Sequence, residues 1–256
     1  MTKELYDKSA VYSGLGRLGR TGLAWECMRR NSEYRSHYRS LPNKTDADKE
    51  LSERWGLSFP SDPDLPAALA GVIWDPHVNP ATVFVGPVPE DFPGAFRIGM
   101  LKPVLSRRGS RGEHLLVEGA RDPVPVMLLP GVDDATPLGV VIAPDGDFET
   151  RIAAARGLWR LMNGLKPCTD ADDLARAQRR NVILAIWAAD LRRGGFSIRQ
   201  TAVAIFGEAK VPSGREWRSH RLYGLTMRLI DRGIKLIEGG YRDLLRKKRR
   251  LRRPIP

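Results

Sequence analysis

Cysteine is scarce: the 256 residues hold two, Cys27 and Cys168, too few for a disulfide framework. Neither belongs to a CxxC pair or stands beside a histidine at ligand spacing, so composition calls for no structural metal. His77 and His114 are isolated, and no serine or cysteine sits in a recognisable nucleophile elbow. Aspartates occur in pairs at Asp133-Asp134 and Asp145/Asp147, but their settings, PGVDDATP and APDGDF, are those of turns. The chain therefore carries no catalytic signature, and neither a cofactor nor a metal is expected. Long apolar runs are missing too. The longest, around Val126–Leu129 and Leu138–Ala143, are strand-length and broken by Gly or Pro, which rules out a spanning helix and predicts no membrane partner. The opening MTKELYDKSA has no apolar h-region, so the expected location is the cytoplasm.

Acid is short at one end only. Residues 150–256 hold 25 Lys+Arg against 9 Asp+Glu, a net +16, whereas residues 41–149 are net −8 and residues 1–40 net +4. So uneven a distribution points the C-terminal part at a polyanion, because neutralising phosphates releases condensed counterions whatever the base sequence. The remaining composition, 42% hydrophobic and 28% charged, is that of an ordinary globular protein with room for more than one core.

Along the chain, SGLGRLG places Gly14, Gly16 and Gly19 in a literal G-x-G-x-x-G pattern. A dinucleotide site needs a buried strand before it and a second strand ending in an acid after it, and neither is visible. Thr21 or Gly22 opens a helix, LAWECMRRNSEYRSHYRSL, ended by Leu41-Pro42, with Leu23, Trp25 and Met28 on one face. Arg29, Arg30, Arg35 and Arg39 are expected to face out with Tyr34 and Tyr38 between them. They either grip phosphate or an acidic partner surface, or are solvated on a packed helix, the last being the commoner case. A short helix follows at Ala47–Trp55, with Asp46 and Asp48 near its start.

From Gly56 to about Asp145 prolines cluster between short β-branched or aromatic runs. Ala70–Trp74, Ala81–Val85, Phe96–Met100, His114–Glu118, Val124–Leu129 and Gly139–Ile142 are strand candidates for a small antiparallel sheet. The loop Ser106–Glu113 carries Arg107, Arg108 and Arg111 between glycines and reads as a hairpin tip or a phosphate contact. Asp147–Leu165 begins the C-terminal helices, with Ile152, Ala155, Leu158, Trp159 and Met162 on one face. Thr169 or Asp170 caps another helix through Arg193, apolar over a broad arc and therefore the buried spine.

The remaining stretch, Phe196 to Arg242, organises the rest. Ser197 is a good N-cap, and Ile198, Thr201, Ala202 and Ile205 recur at helical spacing until Gly207. After GEAKVP, Ser213 can cap a longer helix whose apolar stripe runs through Trp217, Leu222 or Tyr223, Leu225, Leu229 and Ile230. Arg215, Arg218, Ser219, Arg221 and Arg228 lie off the stripe, and Trp217 is expected to pack this helix on the spine. Short helix, break, then a basic helix is the order of a helix-turn-helix, whose second helix enters the DNA major groove. Arg215, Arg218, Ser219 and Arg221 would then meet base edges. Arg199, Gln200, Lys210 and Arg228 would hold phosphates, with Ser213 at the helix cap. Arg246, Lys247 and Lys248 belong to the cationic tail RKKRRLRRPIP, which Arg242 precedes, and which holds phosphates without reading bases.

Two segments carry a family resemblance. LAWECMRRNSEYRSHY, residues 23–38, resembles the N-terminal transcriptional regulator-like domain, with its Ala-Trp-Glu, paired arginines, Asn and Tyr on one helix. Gln200, Ile205-Phe206-Gly207, Trp217, Arg221, Leu229-Ile230 and Gly240-Tyr241-Arg242-x-Leu244-Leu245 resemble the DNA-binding domain of RovC-like and FseA-like transcription factors. In that family Asp231-Arg232-Gly233 is more often replaced by Arg or Ala, so Arg232 is left out of the expected contacts. The resemblance implies a variant helix-turn-helix with a longer connection, here Gly207–Pro212. It also implies double-stranded promoter DNA as partner and activation as a homo-oligomer, with RNA polymerase and a small antiactivator protein as further partners. The targets it implies are genes of conjugative-element transfer and excision or of secretion.

The expected fold is α+β: an N-terminal helical segment over residues 1–55, a small antiparallel β-rich region over 56–146, and an all-α helix-turn-helix domain with a basic tail over 147–256. The expected function is that of a sequence-specific activator rather than an enzyme. Two other classes fit the charge: an accessory factor or enzyme of DNA mobility, such as a replication initiator, recombinase or nuclease, and an RNA-binding module. The first needs a metal or nucleophile constellation, the second the aromatic triplets of an RNP-type sheet, and neither stands out in the sequence.

Overall fold

The computed structural model describes residues 9–43, 49–165 and 174–246. The single helix expected after residue 20 is divided. Helix α1 spans Ser9–Gly14, a 3₁₀ turn Leu15–Arg17 follows, then α2 spans Arg20–Met28 and α3 Ser32–Ser40. Asn31 makes the break, because its side-chain oxygen accepts from the N–H groups of Glu33 (2.8 Å) and Tyr34 (3.1 Å), as an N-cap does. The glycine pattern before α2 has a helix, not a strand, in front of it. Gly19 N–H (2.9 Å), Gly22 N–H (3.0 Å) and the Thr21 hydroxyl (2.6 Å) all donate to the carboxylate of Asp122. A Cβ at Gly19 would lie 2.6 Å from Asp122 Oδ2, so these glycines admit a carboxylate of the same chain to the start of α2.

Helix α4 spans Lys49–Trp55 and α5 Ala67–Ala70; Asp46 and Asp48, expected at the start of α4, lie outside the described residues. Of the arginines expected to face outward, Arg39 does so, while Arg29, Arg30 and Arg35 are turned to partners within the chain. Glu26, 1% exposed, binds Arg29 (2.8 Å), Arg30 (2.7 Å) and the Ala67 N–H (3.0 Å). Burial opposes ionisation of Glu26, yet Arg30, Arg29 and the Ala67 N–H outweigh it and hold the carboxyl below its ordinary range. Arg30 also reaches Asp190 (2.8 Å), which takes the Tyr12 hydroxyl (2.8 Å) as well, and Arg35 pairs with Asp64. Tyr34 is fully buried, its hydroxyl donating to Ser61 O at 2.6 Å. Burial also pushes the Cys27 thiol up to about 12, which makes it a packing residue rather than a nucleophile.

Five strands follow: β1 Val83–Pro87, β2 Pro103–Gly109, β3 Gly112–Val117, β4 Val124–Leu128 and β5 Leu138–Val141, in the sheet order β2-β3-β4-β1-β5. The fold class is α+β, as expected, and three of the four pairings are antiparallel. The fourth departs from the expectation: β1 runs parallel to β4, with Val83 opposite Val126. The β2–β3 hairpin inserts between them in sequence, and that long connection permits a parallel pair. Two strand candidates are not strands. Phe96–Met100 ends in a 3₁₀ turn, and Ala70–Trp74 leaves α5 as a loop that touches Leu57 through a single bridge at Trp74. The arginine-bearing loop Ser106–Glu113 is a hairpin tip, one of its two expected readings: the paired ends of β2 and β3 joined by Ser110-Arg111, with Gly112 (φ +137°) placed where a Cβ would come within 2.1 Å of Leu128 O.

Helix α6, Phe148–Met162, packs on this sheet. Only Leu158 of its expected face is buried, among Val83, Val85, Val126 and Leu128, while Ile152 and Trp159 are left exposed. The periodicity of α6 carries two apolar stripes, and the sheet takes the one through Ala154, Leu158 and Leu161.

The spine is α7, Arg176–Arg193, with Val182, Ala185, Ile186, Ala188 and Leu191 buried; its expected cap at Thr169 or Asp170, like Cys168, lies outside the described residues. Helix α8 is Ile198–Phe206, α9 Glu216–Ser219, α10 Arg221–Lys235 and α11 Arg242–Leu245. Gly233 lets α10 approach the spine so closely that a Cβ there would stand 2.0 Å from Ala185 O. Trp25, Tyr34 and Trp55 from before the sheet share one core with Ile186, Ile230 and Tyr241 from after it. The Tyr241 hydroxyl donates to Trp55 O (2.9 Å), and Asn31 Nδ2 donates to Ile237 O (3.0 Å). The segments on either side of the sheet thus close into one helical body.

Candidate nucleic-acid interface

The interface is built on α8 and α10, both packed on α7. Ser197 and Gln200 form a capping box: Ser197 Oγ accepts from Gln200 N–H (3.2 Å), and Gln200 Oε1 accepts from Ser197 N–H (2.8 Å). Gly207 (φ +91°) ends α8, and a 3₁₀ turn Glu208–Lys210 leads to buried Val211. Ala202, Val211, Trp217 and Leu222 then make a small core of their own. Trp217, expected to pack on the spine, packs here instead, edge to face with Tyr223 at a centroid distance of 5.6 Å.

The long second helix begins later than its pattern predicts. Ser213 is exposed and caps nothing; α9 is a single turn, and His220 in extended conformation (φ −73°, ψ 141°) separates it from α10. His220 Nδ1 accepts from Leu222 N–H (3.4 Å), so the true cap lies seven residues after Ser213. The buried side of α10 runs through Leu222, Thr226, Leu229, Ile230 and Gly233. Its exposed side runs through Arg221, Leu225, Arg228, Arg232 and Lys235, spaced four, three, four and three residues apart, so four cations stand in one row along the helix. Arg215, Arg218 and Ser219 are exposed on the turn just before α10, and Lys210, Ser219, His220 and Glu216 line one groove of about 510 Å³. Among the described residues, no carboxylate forms an ion pair with Arg215, Arg218, Arg221, Arg228, Arg232 or Lys235.

Other predicted contacts also make hydrogen bonds inside the protein. Arg199 donates to the carbonyls of Pro212 (3.0 Å) and Val211 (3.4 Å), and the Gln200 side chain is held in the capping box. Arg242 donates to the carbonyls of Glu53 (3.0 Å) and Arg54 (2.6 Å) at the C-terminal end of α4, and Arg246 donates to that of His77. Both lie past the C-terminus of α10, a helix about 22 Å long, far from Arg221. Lys247 and Lys248 lie outside the described residues.

Residues 141–246 match the family described as the T6SS transcription factor RovC DNA-binding domain, and residues 7–60 match the proteobacterial transcriptional regulator-like domain. The chain carries a RovC-type DNA-binding domain and is a DNA-binding transcriptional regulator. A comparison with curated proteins finds no match. The RovC-type match spans the whole α7–α10 assembly, and the regulator-like match supplies α1 to α4, which share the core beneath it. Lys235 was missed by the sequence reading and Arg232 was set aside on the family pattern, although their four-and-three spacing from Arg221 was there to find.

Proposed function

We propose that the protein is a sequence-specific activator that sets α10 in the major groove of promoter DNA. The row of four exposed cations on α10, with no carboxylate of the described residues paired to it, is the observation that supports this most directly. Arg221 and Arg228 meet base edges, with Leu225 between them available to a thymine methyl group. Arg232 and Lys235 continue along the groove to the phosphates, and Arg215, Arg218, Ser219 and Lys210 hold the near strand. Since α10 starts at Arg221, the base-reading residues shift from the α9 turn to the first two turns of α10. The role is binding rather than catalysis, exercised in the cytoplasm on nucleoid DNA. By analogy with the family, the targets are transfer and excision genes of a conjugative element or secretion genes. The same analogy supports action as a homo-oligomer that meets RNA polymerase and a small antiactivator. Residues 1–55, 56–146 and 147–256 serve as regulator-like, sheet and DNA-binding parts.

Footprinting on DNA upstream of the neighbouring genes tests this. Arg228→Ala should cost about 1–3 kcal/mol on the protected site and little on random DNA. Lys235→Ala should weaken both alike and lower the salt slope by about one. Equal losses on both DNAs for Arg228→Ala would move that residue to the phosphates, and full binding by an Arg221→Ala, Arg228→Ala double variant would remove α10 from the groove.

A further inference from the structure

Between the N-terminal helices and the β2–β3 end of the sheet lies a cleft of about 370 Å³ that DNA binding does not use. Small-molecule sites typically enclose about 300–1,000 Å³. Leu18 and Trp25 line it from the helical side, and Val104, Leu105 and Leu116 from the sheet. Leu69 and Val104 are 69% and 61% exposed there, large aliphatic side chains that folding leaves in water. The strands that make this wall, β2 and β3, fall in residues 61–140, which neither family match covers.

The polar groups of the cleft point to an acceptor. Trp74 and Asn79 both line it and are 2% and 1% exposed, and the Trp74 indole N–H and the Asn79 amide nitrogen have no hydrogen-bond partner among the described residues. Asn79 cannot turn freely to find one, because its Oδ1 accepts from Ala81 N–H at 3.3 Å. Buried donors left unmet are costly, and an incoming acceptor relieves that cost. The Asp122 carboxylate on the same wall is already met by Gly19, Thr21 and Gly22, while Arg121, anchored on Gly16 O at 3.1 Å, brings positive charge to the mouth.

We propose that this cleft binds a small amphipathic carboxylate, its aliphatic or aromatic body against Leu69, Val104, Leu105 and Leu116 and its acceptor on the Trp74 and Asn79 side. Such a ligand touches both the sheet and the helical body that carries α10, and so favours whichever arrangement of the two it fits best. Calorimetric titration of the full chain with sodium decanoate tests the site, with decyltrimethylammonium as a cation of the same chain length and both kept below their micelle concentrations. Decanoate should bind saturably and the cation should not. A Leu69→Asp, Val104→Asp double variant changes only exposed positions, so it should keep the wild-type melting curve and lose affinity for decanoate about tenfold or more. No saturable binding of decanoate, equal binding of the cation, or unchanged affinity in the folded double variant would each overturn the proposal.

Discussion

Helix α10 contains two glycines, and replacing each with alanine should move stability in opposite directions. Alanine is favoured over glycine inside a helix by about 1 kcal/mol, so both substitutions start with the same gain. At Gly224 the new Cβ would meet only the end of the Arg228 side chain, at 3.6 Å, and the gain survives. At Gly233 it would stand 2.0 Å from Ala185 O and 2.8 Å from Ala189 Cβ. Both neighbours are buried on the spine, so the helices must separate by more than an ångström and loosen Leu229 and Ile230. Overpacking of this kind costs about 1–3 kcal/mol, and a backbone obstacle puts it at the upper end, leaving a net loss of about 2 kcal/mol. At about 2–4 °C per kcal/mol for a chain of this size, Gly233→Ala should melt about 4–8 °C below wild type and Gly224→Ala about 2–4 °C above it. Circular-dichroism melts of the two variants under one buffer make the comparison. A Gly233→Ala protein as stable as wild type would mean that α10 does not approach α7 as closely as described.

Three further outcomes follow from the same geometry. Trp217→Ala removes the centre of the small core around Ala202 and Leu222 at a cost of about 3–5 kcal/mol; hydrogen exchange should quicken in α8 and α9 while the amides of α2 and α7 stay protected. Arg242→Ala frees two carbonyls at the end of α4, so it should lower the melting temperature yet leave DNA affinity per folded molecule unchanged; a loss of affinity at full folding would place Arg242 on the DNA. Glu26 has a carboxyl held below its ordinary 4.5, so the stability it lends is complete above that pH and disappears as pH falls through the lower folded value. Glu26→Gln should therefore melt lower than wild type at neutral pH and show a shallower decline below pH 4.5, and parallel acid curves for the two proteins would refute the assignment.

Much of the interface was legible because its signals are local. Ser197 and Gln200 announce a capping box, and the apolar arc of α7 announces a spine, by spacings that need no knowledge of distant residues. The break at His220 was harder, though the five-residue gap from Trp217 to Leu222 is already out of step with a single helix. Starting the helix at Ser213 put the wrong residues in its first turn and hid the row from Arg221 to Lys235. What could not be read locally was the choice of partner. Arg30 looks like a surface arginine until Asp190, far along the chain, is brought beside it. Helix α6 offers two apolar stripes with nothing nearby to say which meets the sheet, and the parallel pairing of β1 with β4 depends on a hairpin inserted between them.

The helical body is assembled from both flanks of the sheet, and this bears on how the protein matures as it is synthesised. Trp25, Tyr34 and Trp55 leave the ribosome long before Ile230 and Tyr241, the residues that cover them. Until those arrive, the early helices hold an apolar surface open to solvent, and the strands in between can fold while it waits. A nascent chain stalled before α10 would thus both lack the helix proposed to read DNA and be prone to aggregation, two defects with one origin.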